Sequence, residues 1–246
     1  METFFREHKK AAIAFSGGTD SAYLLYAALQ YGADVTAYFA RSALQPRFEL
    51  DDAMRLAKHL HARLRVVDVD VLSVESIVRN PPDRCYYCKR CIMSAIFAAA
   101  AEDGYSLLFD GTNASDDIAQ RAGYRALQEL HVLSPLRLCG LTKAEIRKRS
   151  AQAGLFTHNK PAYACLATRI PTGEPITAQK LAATEAAEAF LFSLGFSDFR
   201  VRLFHGAAVL QLPAAQSDLL LRQREKILTT LKRSYSAVYF DLEARG

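Results

Sequence analysis

Ala11-Ala12-Ile13-Ala14-Phe15-Ser16-Gly17-Gly18-Thr19-Asp20-Ser21 is the stretch on which the reading of this chain turns. Ala11 to Phe15 is an apolar run that predicts a buried strand, and Ser21 to Tyr31 carries the apolar spacing of a helix. The Ser-Gly-Gly turn between them aims several backbone N–H groups at one point, at the positive end of a helix dipole. That arrangement predicts a phosphate site. It is not the nucleoside-triphosphate P-loop, because no Gly-Lys-Ser/Thr follows and no lysine is placed for the β- and γ-phosphates. An acid, Asp20, stands there instead, which suits Mg²⁺ bridging phosphates. The competing reading is an ordinary glycine turn, and the serines at both ends with Asp20 between them count against it.

Working outward, strand and helix signals alternate. Val35 to Phe39 and Leu64 to Val69 read as strands, with a helix from Phe48 to His61 between them. Pro81-Pro82 breaks the chain, and a helix is predicted from near Cys88 to Ala101. Leu107-Leu108-Phe109 is a short strand that ends at Asp110-Gly111. Thr142 to Ala153 is a helix opened by a Thr142-x-x-Glu145 capping box. The alternation predicts an α/β fold, a parallel sheet with flanking helices. Ligands of such sheets sit beyond the carboxyl ends of the strands, where Ser16–Ser21 and Asp110–Asn113 would both lie. Pro171-Thr172-Gly173-Glu174-Pro175 reads as a linker. Beyond it the order is a helix (Thr177 to Leu194), two strands (Phe199 to Phe204, Ala207 to Leu212), a helix (Ala214 to Arg233) and a strand (Ala237 to Leu242). The expected organisation is therefore residues 1–170 as the nucleotide domain and 171–246 as a small C-terminal α+β domain.

The 246 residues are half hydrophobic and carry a net charge of +5. That excess suits anionic substrates such as nucleotides, and it is too small and dispersed to imply nucleic acid. No apolar run approaches membrane-spanning length without a charge, so no membrane is expected. The first ten residues lack a secretory layout, and a cytoplasmic protein is expected. In a reducing compartment the five cysteines are core thiols, metal ligands or reactive groups rather than a disulfide framework.

Two further motifs carry chemistry. Asp110-Gly111-Thr112-Asn113-Ala114-Ser115-Asp116-Asp117 follows a strand. Beside the first loop, Gly111, Asn113 and Asp116 are expected to bind the nucleotide; alone, the stretch would be a solvated turn. Arg84-Cys85-Tyr86-Tyr87-Cys88-Lys89-Arg90-Cys91 holds two overlapping Cys-x-x-Cys pairs. Neighbouring thiolates at that spacing converge on one metal or cluster, and Arg84, Lys89 and Arg90 would lower their pKa values. Core cysteines on a helix can also fall three apart. Cys165 stands alone between Pro161 and Arg169, a pattern that by itself suits a buried small hydrophobe.

The Ser-Gly-Gly-x-Asp-Ser loop resembles the PP-loop of the ATP pyrophosphatases, which cleave ATP between its α- and β-phosphates. Taken with Asn80-Pro81-Pro82-Asp83-Arg84-Cys85-Tyr86-Tyr87-Cys88-Lys89, Asp110-Gly111, Cys165-Leu166-Ala167-Thr168-Arg169-Ile170-Pro171, Ser193-Leu194-Gly195-Phe196 and Arg200-Val201-Arg202, the chain resembles the LarE family of ATP-dependent sulfur transferases over nearly its whole length. The resemblance implies a role in making the nickel-pincer nucleotide cofactor of lactate racemase and related enzymes. ATP would adenylate a carboxylate of pyridinium-3,5-dicarboxylate mononucleotide, and sulfur would displace AMP to leave a thiocarboxylate.

Two branches of that family differ in sulfur source. In one, a single cysteine at the Cys165 position gives up its own sulfur. In the other, three cysteines hold a [4Fe-4S] cluster whose open iron carries hydrosulfide. Cys85, Cys88 and Cys165 match the three-cysteine pattern. Zinc or bare thiols remain open, and Cys91 is either a fourth ligand or core. Cys139 is expected in the core. The resemblance further implies that Ser16, Gly17, Gly18, Asp20 and Ser21 bind ATP phosphates and Mg²⁺. Lys89 would neutralise phosphate or the activated carboxylate, and Arg169 would sit near the sulfur donor and the substrate phosphate. Asp116 would help place substrate or metal. Glu188, Arg200, Arg202 and Asp241 match an anion and metal site near subunit contacts; solvated surface charges are the other reading. Arg200 and Arg202, two apart on a strand, would share a face. The ending Leu242-Glu243-Ala244-Arg245-Gly246 lacks the family's glycine-tyrosine-arginine stretch. A homo-oligomer, a hexamer of trimeric character, is implied, with sulfide or a sulfur-donor protein as a further partner.

The rivals are a tRNA thiolase, a nucleotide sensor without turnover, and a glutamine-dependent synthetase. The first calls for an RNA-binding module and a basic face, and the last for a glutaminase segment; the chain displays neither.

Overall fold

In the computed structural model, which describes residues 1–118 and 122–243, the strand leading into the Ser16–Ser21 loop is buried on both faces. Ala11, Ala12 and Ile13 have no exposed surface. A strand with no polar face needs neighbours above, below and on both edges, and a parallel sheet between helices supplies them.

The elements run in the expected alternation: α1 (Glu2–Glu7), β1 (Lys10–Ala14), α2 (Thr19–Gln30), β2 (Asp34–Arg41), α3 (Arg47–His59), β3 (Arg63–Asp68), α4 (Glu75–Val78), α5 (Arg84–Glu102), β4 (Leu108–Phe109), α6 (Ala122–Glu129), α7 (Pro135–Leu138) and α8 (Lys143–Gln152). The sheet order is β3-β2-β1-β4, all parallel. The chain builds outward from β1 to β3, then returns to the other side of β1 for β4. The carboxyl ends of β1 and β4 therefore flank the switch point of the sheet, the place where α/β sheets bind ligands. β3 is an edge strand, and its Arg65 pairs with Glu102 at 2.6 Å and Asp103 at 2.9 Å, charges that discourage pairing with another chain.

Two units emerge, Met1–Val71 with Asp83–Ala162, and Leu72–Pro82 with Tyr163–Gly246. The second unit thus begins at Tyr163 rather than 171, and it takes in Leu72–Pro82. Hydrogen bonding explains this. The buried Asn80 amide donates to Pro171 O at 2.8 Å and Glu174 O at 3.1 Å. Gly173 N donates to Asn80 O, and Ile176 N to Val78 O, each at 2.8 Å. The Pro-Gly stretch read as a linker is instead an ordered segment of this unit.

Beyond it lie α9 (Ala178–Ser193), β5 (Arg200–Phe204), β6 (Ala207–Gln211), α10 (Ser217–Arg222), α11 (Arg224–Leu231) and β7 (Val238–Phe240). β5 and β6 are antiparallel and β7 joins β6 in parallel, the small α+β arrangement that the element order predicts. Leu191, Phe199, Val201 and Leu210 form the centre of its core.

Two helix predictions change. The one expected near Cys88 starts at Arg84, directly after the double proline, because Tyr86 already lies on the face that buries Met93, Ile96 and Ala100. The helix expected over Ala214 to Arg233 is broken at Gln223, whose φ of −96° and ψ of 4° end α10 and open α11. α1, α4, α6 and α7, of only four to eight residues each, are not predicted from the sequence. Residues 244–246, part of the divergent ending, lie outside the described residues. Among the described residues no helix is long and apolar enough to cross a membrane.

The capping box at α8 forms as predicted, Thr142 and Glu145 each bonding the other's backbone N–H. Thr142→Ala is expected to cost about 1 kcal/mol, read as a lower urea midpoint with an unchanged slope.

Candidate active site

The loop after β1 is built by its own small residues. Gly17 adopts φ +70°, and a Cβ there would meet the α3 backbone at Ala53 N and Glu49 O, both 3.2 Å away. Ser21 Oγ donates to Gly18 O at 3.2 Å and accepts from Ser16 N at 3.3 Å, so the two serines close the turn. Gly18 is the N-cap of α2 and provides no side chain, which leaves the first N–H groups of that helix without a side-chain acceptor.

The second loop comes to meet the first. A Cβ on Gly111 would stand 3.0 Å from Ser21 N, so only glycine permits this approach. Asp110 is buried but fully engaged, accepting from Ser134 Oγ at 2.6 Å and Thr112 Oγ1 at 2.5 Å. Asn113 Oδ1 accepts from Ser115 N, and Asp116 Oδ2 from Asn113 N, both at 2.9 Å. These side chains shape the loop that carries Gly111.

Between the loops lies a cavity of about 610 Å³. Ser16, Gly18, Asp20 and Ser21 line it, as do Gly111, Asn113 and Asp116, together with Lys89 from α5. Ile92, Met93 and Ile96 give it an apolar wall. The structure thus gathers the first-loop residues, the second-loop residues and Lys89 in one place. Gly17 stands behind, where its positive φ turns the loop.

Asp20 has a divided environment. Its Oδ2 accepts from Lys143 Nζ at 2.7 Å, while its Oδ1 is buried with no hydrogen-bond partner. A buried carboxylate oxygen without a donor is costly, and a divalent cation is the natural neighbour for it. Lys143 and Lys160 both escape the sequence reading. Lys160 Nζ lies 2.7 Å from Asp52 Oδ2 and donates to Gly17 O at 3.4 Å, bracing the first loop from below. Their distance along the chain hides them; a lysine in the first turn of α8 was the available signal for Lys143.

The cysteines divide between the units. Cys85, exposed, and Cys88, half-buried, stand one turn apart at the start of α5, with Arg84 Nη2 donating to Cys85 Sγ at 3.9 Å. Arg90 points elsewhere, to Tyr86 Oη at 3.3 Å. Burial, with Asp70 adding to it, pushes the half-buried Cys91 thiol up. Cys139 packs against the core of the first unit. Cys165 precedes the short helix Leu166–Arg169 of the second unit. Among the described residues no three His, Cys, Asp or Glu side chains are grouped as metal ligands.

Within the second unit, Arg169 is 1% exposed. Its Nε and Nη2 donate to the two oxygens of Glu188 at 2.8 and 3.2 Å, and its Nη1 donates to Ala164 O at 2.9 Å and Cys165 O at 3.4 Å. Thr168 Oγ1 also donates to Cys165 O, at 2.8 Å. Arg169 therefore holds the backbone of the Cys165 turn. Glu188, read as an anion-site or surface residue, is 2% exposed and also accepts from Val201 N at 3.0 Å and from the Tyr163 hydroxyl. A carboxylate this deep requires such pairing, which corrects the surface reading. Burial and the Glu188 charge push the Tyr163 phenol well above its ordinary range, so it remains a donor.

Arg200 is likewise buried, its guanidinium 5.0 Å from the centre of the Tyr163 ring. Arg202 is exposed, donating to Gln211 Oε1 at 3.1 Å and Thr168 O at 3.2 Å. Gln211 Nε2 donates in turn to Asp241 Oδ2 at 3.2 Å. Arg200 and Arg202 thus differ in exposure, the first lying buried beside the Tyr163 ring and the second open to solvent.

Comparison with known proteins settles the family. The pyridinium-3,5-bisthiocarboxylic acid mononucleotide synthase of Lactiplantibacillus plantarum is 36% identical over 213 residues, covering 86% of this chain and 77% of the relative. The chain belongs to the LarE family. An uncharacterized protein of Synechocystis is 34% identical over 247 residues, 99% of this chain and 92% of its own length. The tRNA-specific 2-thiouridylase of Thermotoga petrophila is more distant, 24% identical over 193 residues, 61% of this chain and 54% of the relative, and shares the PP-loop α/β fold. No family model matches.

The buried ion pair gives a direct test. Glu188→Ala leaves Arg169 buried and unpaired and should cost about 3–5 kcal/mol in urea unfolding. Replacing both partners, Arg169→Met with Glu188→Leu, should recover only part of that loss, because Val201 N and the Tyr163 hydroxyl lose their acceptor.

Proposed function

We propose that this member of the LarE family is an ATP-dependent sulfur transferase of nickel-pincer nucleotide biosynthesis. It would adenylate a carboxylate of pyridinium-3,5-dicarboxylate mononucleotide and exchange the activated oxygen for sulfur. Family membership supports the substrate class, because the relative in L. plantarum is a pyridinium-3,5-bisthiocarboxylic acid mononucleotide synthase. The observation that carries the ATP half is the orphaned, buried Oδ1 of Asp20, a residue that lines the cavity at the switch point.

In this reading the N–H groups of Ser16 to Ser21 receive the phosphates of ATP. Asp20 Oδ1 would hold Mg²⁺, which when bound neutralises phosphate charge. A carboxylate oxygen of the substrate bonds to the α-phosphorus and the bond to the β-phosphate bridging oxygen breaks, releasing pyrophosphate. Lys89 offsets the charge of the acyl-adenylate on the apolar side of the cavity. Sulfur then attacks the acyl carbon, and AMP leaves with the electron pair of the broken C–O bond. The adenylate is needed because a free carboxylate oxygen is a poor leaving group.

By the family resemblance Cys85, Cys88 and Cys165 would be the delivery thiols, either as ligands of a [4Fe-4S] cluster whose open iron would supply hydrosulfide or with Cys165 giving up its own sulfur; the described residues show no grouped ligand set of themselves. Arg169 positions the Cys165 backbone in either mode of delivery. Glu188, Arg200, Arg202 and Asp241 serve the second unit, where the exposed Arg202 and the half-buried Asp241 would meet an anion or a partner copy. The expected setting is a cytoplasmic homo-oligomer supplied with sulfide or a sulfur-donor protein.

Anaerobic purification with iron and sulfide analysis, and intact mass before and after turnover, tests the delivery half. Bound iron and an unchanged mass support the cluster. Iron-free active protein that loses one sulfur at Cys165 assigns sacrificial transfer instead. For the activation half, pyrophosphate release should depend on the dicarboxylate nucleotide, and Asp20→Asn should slow it about a hundredfold. Salt-sensitive tRNA binding with no response to the dicarboxylate would turn the assignment toward tRNA thiolation.

A further inference from the structure

The second loop closes a turn of its own but is held in place from elsewhere. Asp116 N donates to Asn113 O at 3.3 Å, which closes the turn over residues 113–116. Inside it, Ser115 N donates to Asn113 Oδ1 and Asn113 N to Asp116 Oδ2, each at 2.9 Å. So short a turn gains little to oppose its conformational entropy. Contacts with neighbouring elements must fix where it points.

The start of α8 takes the middle of the turn: Ala114 N donates to Leu141 O at 2.8 Å, and Ser115 Oγ accepts from Lys143 N at 3.0 Å. α7 and the serine before it take the rest. Ser134 Oγ donates to Asp110 Oδ1 at 2.6 Å, and Arg137 N donates to Thr112 O at 3.2 Å. Arg137 Nη1 then donates to Asn113 O at 3.3 Å and to Asp116 O at 3.1 Å, the two ends of the turn. Among the described residues these are the side-chain bonds of Arg137, and none goes to a carboxylate. A charged donor on a carbonyl bonds more strongly than a neutral one.

We propose that Arg137 is a positioning residue for the reaction: it holds the 113–116 turn so that Asn113 and Asp116 face the cavity. The inference rests on the ATP reading of the cavity, in which those two residues meet the nucleotide. Asn113 and Asp116 line the cavity, whereas Arg137 does not, so Arg137 acts through them. Both of its contacts come from one nitrogen. The guanidinium is used here as a point donor and not as a two-pronged fork, so an ammonium on a stem of similar length can take its place. Without the donor the turn samples other placements, and the nucleotide has to reorder it on binding. That cost falls on affinity. The first loop, with Asp20 and its N–H groups, keeps its own contacts, so the chemical step is spared.

Steady-state pyrophosphate release and residue-resolved amide hydrogen exchange of wild-type, Arg137→Met and Arg137→Lys protein test this. In Arg137→Met the KM for MgATP should rise about tenfold, the loss of one charge-assisted contact, while kcat stays within about threefold. Exchange should quicken at the Asn113, Ser115 and Asp116 amides and stay unchanged at Ala12 and Ile13 of β1. Arg137→Lys should bring KM back to within about threefold of wild type. Unchanged loop exchange or an unchanged KM in Arg137→Met overturns the positioning role. So does an equal loss of protection in β1, which marks a general loosening of the unit, and so does a lysine variant no better than the methionine one. Wild-type protein that neither binds nor cleaves ATP, with loop exchange still quickened in Arg137→Met, overturns the ATP reading and with it the use of this hold in the reaction.

Discussion

The approach of Gly111 to Ser21 N is the constraint on which the site depends. It follows from the pairing of β4 beside β1, with Ala12 opposite Leu108 and Ile13 opposite Phe109. That register brings two loops of different sequence to the same edge of the sheet. With a Cβ at residue 111 they would separate, because the contact would be with backbone, which has nowhere to go. The cavity, the position of the uncapped end of α2 and the reach of Lys143 are consequences of that contact.

The acids of the molecule sort themselves by how completely they are paired. Asp110 accepts from two hydroxyls, and Glu188 accepts from an arginine, a tyrosine and a backbone N–H. Both are buried and both are satisfied, as structural carboxylates must be. Asp20 is satisfied on one oxygen only. The same physics that makes Glu188 a core residue sets Asp20 apart, with one buried oxygen left without a donor. The lysines divide similarly: Lys160 braces the first loop from Asp52, while Lys89 and Lys143 face the cavity.

The second unit applies its strongest pairing to one short turn. Arg169 joins Glu188 on α9 to the carbonyls of Ala164 and Cys165, and Thr168 adds to the hold on Cys165. The backbone oxygen of Cys165 is thereby held by two side chains, which fixes the turn that carries its thiol. Cys85 and Cys88 receive their geometry differently, from the one-turn spacing at the start of α5.

Periodicity and glycine placement alone determined the strand-loop-helix unit, the capping box at Thr142, the parallel α/β class and the Asp20 loop. These depend on neighbours within a few residues, whose sterics and hydrogen bonds are local. The segments that local signals misplaced were those governed by distant partners: the Pro171–Pro175 stretch stitched to Asn80, the break at Gln223, and the early start of α5. The same division runs through the site. Gly17, Gly18 and Ser21 could be read as a phosphate loop because the loop makes its own turn. Lys143, Lys160 and the burial of Glu188 could not, because an ion pair across 123 residues, or a carboxylate's depth, exists only once the sheet has closed. Sequence determined which chemistry the loop can do; tertiary structure decided which distant side chains complete it, since Coulomb and hydrogen-bond partners are chosen by distance in space.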